Sequence, residues 1–135
     1  MDATPVFLLV EPFAILRSCM RAWLEDVLAD RRILIAVNAA EALRLTVQKQ
    51  PTHILIEISL PNTSGVEVIW QIRASLPNAR VIATHWYESR FFLERVRSAG
   101  ADEFIPNHKL HTELLPLLEV VEDASHDEVK CNEQD

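Results

Sequence analysis

Four short runs in this chain are apolar on consecutive residues rather than alternate ones: Val6–Val10, Ile33–Val37, His53–Ile58 and Val81–Thr84. Successive side chains of a strand leave opposite faces, so a strand with one wet face alternates, whereas an unbroken run fits a strand covered on both sides. A weaker fifth run is Glu103–Ile105. Between the runs, apolar residues recur at helical spacing. Leu16, Met20, Trp23, Leu24 and Val27 mark a helix over about residues 13–29. Asn38 followed by Glu41 reads as a capping-box-like start to a second, carrying Ala42, Leu43 and Val47 and ending before Pro51. Val66, Ile69, Trp70 and Ile72 mark a third, and Phe92, Leu93, Val96 and Ala99 a fourth that Gly100 stops. Thr112 is placed to cap a fifth containing Leu114, Leu115, Leu117 and Leu118, with Pro116 in its first turn. Strand and helix repeated five times predict an α/β fold: a five-stranded parallel sheet, doubly wound, built from right-handed crossovers.

Sheets of this kind carry function at the carboxyl ends of their strands. The residues there are Glu11 and Pro12, Glu57 and Ser59, Thr84 and His85, and Pro106 and Asn107. Glu11 and Glu57 end strands that the topology sets side by side, where two carboxylates can bind a cation or raise one another's pKa; as solvated loop acids they would do neither. Other chemistries lack their residues. The two glycines, Gly65 and Gly100, build no phosphate-cradling loop, and no G-x-S-x-G elbow occurs. The five histidines have no ligand-like spacing and read as surface or loop residues. Cys19 and Cys131 suit free thiols in a reducing compartment, with Cys19 a small core residue of the first helix and no zinc or other cofactor expected. No apolar run approaches the ~18 residues of a membrane span, and the acidic Asp2 and Glu11 do not suit a signal peptide, so a cytoplasmic protein is expected.

The net charge of −7 argues against a sequence-independent grip on nucleic acid. It is uneven. Residues 119–135 hold 7 of the 20 acidic and 1 of the 13 basic residues, a net of −6, and leave residues 1–118 at −1. Residues 122–135 read as a disordered acidic tail after a domain over 1–121, with no effector module expected beyond it.

Val10-Glu11-Pro12 with Arg17, Ile56-Glu57-Ile58-Ser59-Leu60-Pro61-Asn62-Thr63-Ser64-Gly65, Val81–Thr84 and Gly100–Asn107 together resemble the receiver domain of bacterial two-component response regulators, over residues 5–121. The resemblance implies the flavodoxin-like (βα)5 receiver fold and a role in signal transduction. Receivers accept a phosphoryl group on an aspartate at the end of the third strand, with Mg²⁺ held by acidic residues, a lysine on the phosphate and a hydroxyl that follows it. Carried over by position, the phosphoacceptor falls on Glu57, one methylene longer than aspartate. The paired acids fall on Glu11 and on Pro12, which has no side-chain oxygen for the metal. The lysine falls on Asn107, with Lys109 out of register, and the proline after it on His108. Thr84 takes the hydroxyl position and Phe104 the aromatic switch position.

The expectation is therefore an atypical receiver, not an enzyme, that works through protein contacts: a signalling kinase or regulator, or a homodimer through the fourth helix, fifth strand and fifth helix. Trp86, Tyr87 and Phe91, flanked by Arg90 and Arg95, are the candidate interface. Glu57 has two readings, a mimic of the phosphorylated state pushing charge toward Thr84, or a relic in an unused pocket. Two rivals remain at this point. One is a phosphorelay receiver still phosphorylated at or near Glu57; the other is an enzyme using Glu11, Glu57 and His85 as an acid–base set. A polar small ligand in the pocket is a further possibility.

Overall fold

In the computed structural model, which describes residues 4–122, the consecutive apolar runs form a five-stranded parallel sheet. The strands are β1 (Val6–Val10), β2 (Arg32–Ala36), β3 (His53–Glu57), β6 (Arg80–His85) and β7 (Glu103–Pro106), in the order β2-β1-β3-β6-β7. A two-residue ribbon, β4 (Ser59–Leu60) against β5 (Thr63–Ser64), turns the chain from β3 into the third helix. The helices are α1 (Ala14–Val27), α2 (Ala39–Lys49), α3 (Gly65–Ser75), α4 (Arg90–Ala99) and α5 (Leu110–Glu122).

Every residue of β1 and β3 is buried, as the unbroken runs require of central strands. Alternate residues feed two cores. Leu8, Val10, Ile54 and Ile56 pack with Ile69, Ile72 and Val96 of α3 and α4 on one face. Phe7, Leu9, Leu55 and Ile82 pack with Met20 and Leu24 of α1 and Leu114 and Leu118 of α5 on the other. Local signals place the helix ends. The Asn38 side chain accepts from the Glu41 amide at 2.9 Å, while Glu41 Oε1 accepts from the Val37 amide at 2.9 Å. Gly100 stops α4 with φ of +119°, where a Cβ would lie 2.9 Å from Arg73 Cγ. Arg73 uses that opening: its guanidinium donates to the carbonyls of Gly100 and Ala79 and to Asp102, tying the end of α3 to the end of α4 and to the residues that lead into β6 and β7.

Several expectations need correction. Thr112 does not cap α5; a 3-10 turn over Asn107–Lys109 runs straight into the helix at Leu110, so Pro116 sits inside it rather than in its first turn. Val47 and Trp70 are exposed although they share apolar spacing with buried neighbours; Thr46, bonded through its hydroxyl to the Ala42 carbonyl at 2.7 Å, takes the buried place on α2. Cys19 is exposed on α1. His53 and His85 are buried strand residues, not surface ones. Burial, with Arg31 and Arg80 adding to it, lowers the His53 pKa to about 4, so the ring is neutral where it stacks on Phe7. Glu122 belongs to α5, and the rest of the expected tail, with Cys131, lies outside the described residues. Among the described residues no helix is long and apolar enough to cross a membrane.

Gly65 carries the turn below the sheet's functional edge. Its amide donates to the Ile58 carbonyl at 2.6 Å, and a Cβ there would meet the Glu57 carbonyl oxygen at 2.5 Å and Ile58 Cα at 2.7 Å. These are backbone atoms and cannot swing aside. Gly65→Ala is expected to lower unfolding stability by roughly 2–3 kcal/mol, as overpacking does, measured by urea denaturation; a loss under about 0.5 kcal/mol, the ordinary surface range, would contradict the close approach.

Candidate functional site

Parallel pairing of β1 with β3 and of β3 with β6 brings the chemistry-bearing strand ends together, with Glu57 opposite Thr84 in register. Glu11 follows β1 directly, and its amide donates to the Ala36 carbonyl at 3.1 Å, which fixes it between β1 and β2. Neither carboxylate is a solvated loop acid: Glu11 is 0% exposed and Glu57 2%.

Glu57 is fully engaged on one oxygen. Its Oε2 accepts the backbone N–H of Ser59 at 2.9 Å and lies 2.5 Å from Nδ1 of His85. Hydrogen bonds to a carboxylate are the strong kind, and burial raises the cost of breaking them. Glu11 is held differently. Its Oε2 accepts from the Phe13 amide at 3.2 Å, while Oε1 is buried with no hydrogen-bond partner. Burial pushes its pKa up to about 7, and the neighbouring Glu57 charge adds to the rise against the opposing pull of the Phe13 amide and Arg17. Pro12 brings only backbone to this corner, and Arg17 Nη1 donates to the carbonyls of Glu11 and Pro12 at 3.0 and 3.1 Å.

On the other side of the pocket, Asn107 begins the 3-10 turn after β7, and its Nδ2 donates to Thr84 Oγ1 at 2.9 Å. Thr84 thus bonds to Asn107, not toward Glu57. Phe104 is buried at 8% in the core under α4. Lys109 lies exposed at the end of the 3-10 turn and His108 is exposed beside it.

The expected interface residues are where the spacing put them. Trp86 and Tyr87 lie in the bend after β6, 70% and 52% exposed, and Phe91 lies 63% exposed on α4. Their connection to the pocket runs through His85. The His85 ring packs edge-on against Phe92 at 5.3 Å and tilted against Trp86 at 5.7 Å; Trp86 touches Tyr87, and Phe92 touches both Tyr87 and Phe91. His85 therefore has the Glu57 carboxylate on one side and the aromatic cluster on the other. A histidine placed one residue past Thr84, next to the strand that ends in Glu57, was the signal available for this contact.

Because the pKa of Glu11 is raised on folding, the native state holds its proton between about 4.5 and about 7, so this residue's contribution to stability is complete below 4.5 and is lost as pH rises through 7. Glu11→Gln keeps the shape without the charge. Relative to wild type its stability should rise by on the order of 3 kcal/mol between pH 4 and pH 8 in metal-free buffer. Parallel pH–stability curves for the two proteins would contradict a buried Glu11 with one oxygen unpaired.

Residues 7–118 match the family described as the response regulator receiver domain. A cyclic di-GMP phosphodiesterase of Thermotoga maritima is 31% identical over 110 residues, which is 82% of this chain and 28% of that protein. The chain spans roughly three-tenths to two-fifths of the length of the curated relatives it matches. Among solved structures, a two-component response regulator of the LuxR family from Aurantimonas sp. SI85-9A1 superposes with a TM-score of 0.78 at 24% identity, covering 88% of this chain and 85% of that one. The signal receiver domain of a DNA-binding response regulator from Colwellia psychrerythraea 34H gives 0.79 at 20% identity, over 88% and 99%. The parallel β2-β1-β3-β6-β7 sheet, the acidic strand ends and the family match over nearly the whole described chain make this protein a member of the response regulator receiver domain family of two-component signalling.

Proposed function

We propose that this receiver, over residues 1–121, is atypical: it is not phosphorylated by the Mg²⁺-dependent aspartyl route and signals through protein contacts. The observation that carries the reading is the Glu57–His85 bond at 2.5 Å. A phosphoacceptor must present a carboxylate oxygen in line with the donor, and here Oε2 is held by His85 and the Ser59 amide, while Oε1 belongs to a side chain one methylene longer than aspartate. The donor set does not fit Mg²⁺ either. That ion demands near-octahedral oxygen coordination, and the corner offers the unpaired Glu11 Oε1 beside a proline; among the described residues no group of three histidine, cysteine, aspartate or glutamate side chains is placed to hold a metal ion. Asn107 cannot neutralise a phosphoryl group, and its amide is bonded to Thr84.

The same contacts weigh on the two readings of Glu57. A phosphate mimic would direct its charge at Thr84, whereas this carboxylate turns to His85 and Thr84 turns to Asn107. That favours a pocket of fixed shape over a mimic. Thr84 and Phe104 remain the residues through which a change in the pocket would reach α4, β7 and α5, and Trp86, Tyr87 and Phe91 the surface that meets a signalling kinase, a regulator or a second copy. Incubating the protein with acetyl phosphate and Mg²⁺ and weighing it intact should show no added phosphoryl mass. An added phosphoryl that disappears in Glu57→Gln would overturn this reading in favour of a phosphorelay receiver.

A further inference from the structure

The acidic residues that follow the domain take no part in the site described above, while the opposite, amino edge of the sheet gathers positive charge. Arg32 opens β2, Arg80 opens β6, and Arg31 lies buried just before β2. His53 opens β3 and is the register partner of Arg80. Both stand two residues before Leu55 and Ile82 of the core between the sheet and α1 and α5, so their side chains leave the sheet on the face that α5 covers. There His53 Nε2 and Arg80 Nε are buried without hydrogen-bond partners. Burial first, and then the charges of Arg31 and Arg80, keep the His53 ring neutral, with no carboxylate near enough to offset them. Acids at this edge are already engaged: Asp30 lies 3.9 Å from Arg31, and Asp102 holds Arg73 at 2.8 Å. Among the described residues no ion pair includes Arg32 or Arg80. Arg80 is half-buried, and charge withdrawn from water is costly unless an opposite charge meets it.

We propose that the acidic segment 123–135 of this chain folds back across the amino edge of the sheet and sets a carboxylate against Arg80. Three observations name this segment as the occupant. The first is position: α5 leaves β7 at the carboxyl edge and runs back along the sheet, burying Leu110, Leu114 and Leu118 on the way. Its 13 residues measure about 20 Å, longer than the four residues of β7 at ~3.3 Å each, so it hands the chain on at the edge where Arg80 lies. The second is reach: residues 123–135 can extend to roughly 40 Å, whereas five strands at ~4.8 Å spacing make an edge about 20 Å wide. The third is charge. Asp123, Asp127, Glu128, Glu133 and Asp135 stand against Lys130 alone, a net of −4 beside an edge whose Arg32 and Arg80 have no acid. A segment tethered this close meets Arg80 at an effective concentration on the order of millimolar, which favours it over an acidic group of another molecule at micromolar concentration.

Cys131 lies within the segment, so a nitroxide coupled to its thiol in the full chain, with the exposed Cys19 changed by Cys19→Ser, reports where the segment sits. In NMR spectra the label should broaden the amides of Arg32, Thr52 and Arg80 and spare those of Asn62 and Trp86 at the carboxyl edge. Changing the five acids to Asn or Gln leaves the described domain untouched and should return the amino-edge amides to the intensities of the unlabelled protein. Arg80→Gln should do the same, as should about 1 M salt, which screens charges beyond ~3 Å. The His53 ring should also titrate at a higher pH in wild type than in the neutralised chain, because a carboxylate at Arg80 offsets the charge that lowers it. Amino-edge amides that stay sharp overturn the proposal and leave Arg80 to an acid from another molecule. Broadening at both edges, broadening that survives the neutralised acids, or equal His53 titrations in the two chains overturns it as well. These outcomes concern the edge opposite Glu57 and are independent of its phosphorylation, which the mass measurement reads.

Discussion

A carboxylate 2% exposed at the end of a central strand is tolerated only if polar partners meet it, and at Glu57 the Ser59 amide and the His85 ring supply that. The arrangement of the pocket follows from this contact. Glu57 leans to the β6 side, while the neighbouring Glu11 keeps Oε1 buried without a hydrogen-bond partner beside Pro12, and burial, with the Glu57 charge adding to it, raises its pKa to about 7. Thr84, opposite Glu57 in the sheet, takes its partner from the other direction, Asn107. The result is two side-chain bonds at the strand ends, Glu57 with His85 and Asn107 with Thr84.

The same contact links the interior to the surface. His85 lies at the end of β6, 7% exposed, and the rings it touches lead outward through Phe92 and Trp86 to Tyr87 and Phe91. A shift of the imidazole would disturb both the Glu57 bond and the packing of the exposed aromatic cluster. Ring contacts therefore lead from the pocket to the exposed aromatics along the β6–α4 connection.

Much of the architecture could be read from residue order. The unbroken apolar runs placed the strands within a residue or two, because a strand covered on both faces has no polar alternation to blur it. Asn38 with Glu41, and Gly100, marked helix ends because their signals act within a single turn. Helical periodicity found the centre of each buried stripe but not its margins. Val47 and Trp70 share the spacing of buried neighbours and are wet, since what covers a margin is set by the next element and not by the helix itself. Thr112 looked like a cap, yet the chain enters α5 three residues earlier through a 3-10 turn that no local pattern announced. Within the pocket, the positions of Glu11, Glu57, Thr84 and Asn107 could be named in advance. Glu57 and His85, 28 residues apart, could be grouped at the strand ends, but their direct bond and the Asn107–Thr84 bond could not be read, because they form only once the strands are in register.

Proton NMR of the His85 imidazole decides whether His85 holds the Glu57 carboxylate. A buried N–H in so short a bond to a carboxylate should resonate far downfield of the amides, vanish in Glu57→Gln, and stay unmoved when acetyl phosphate and Mg²⁺ are added. Absence of such a resonance in the wild type, or its loss on adding the phosphodonor, would contradict the account.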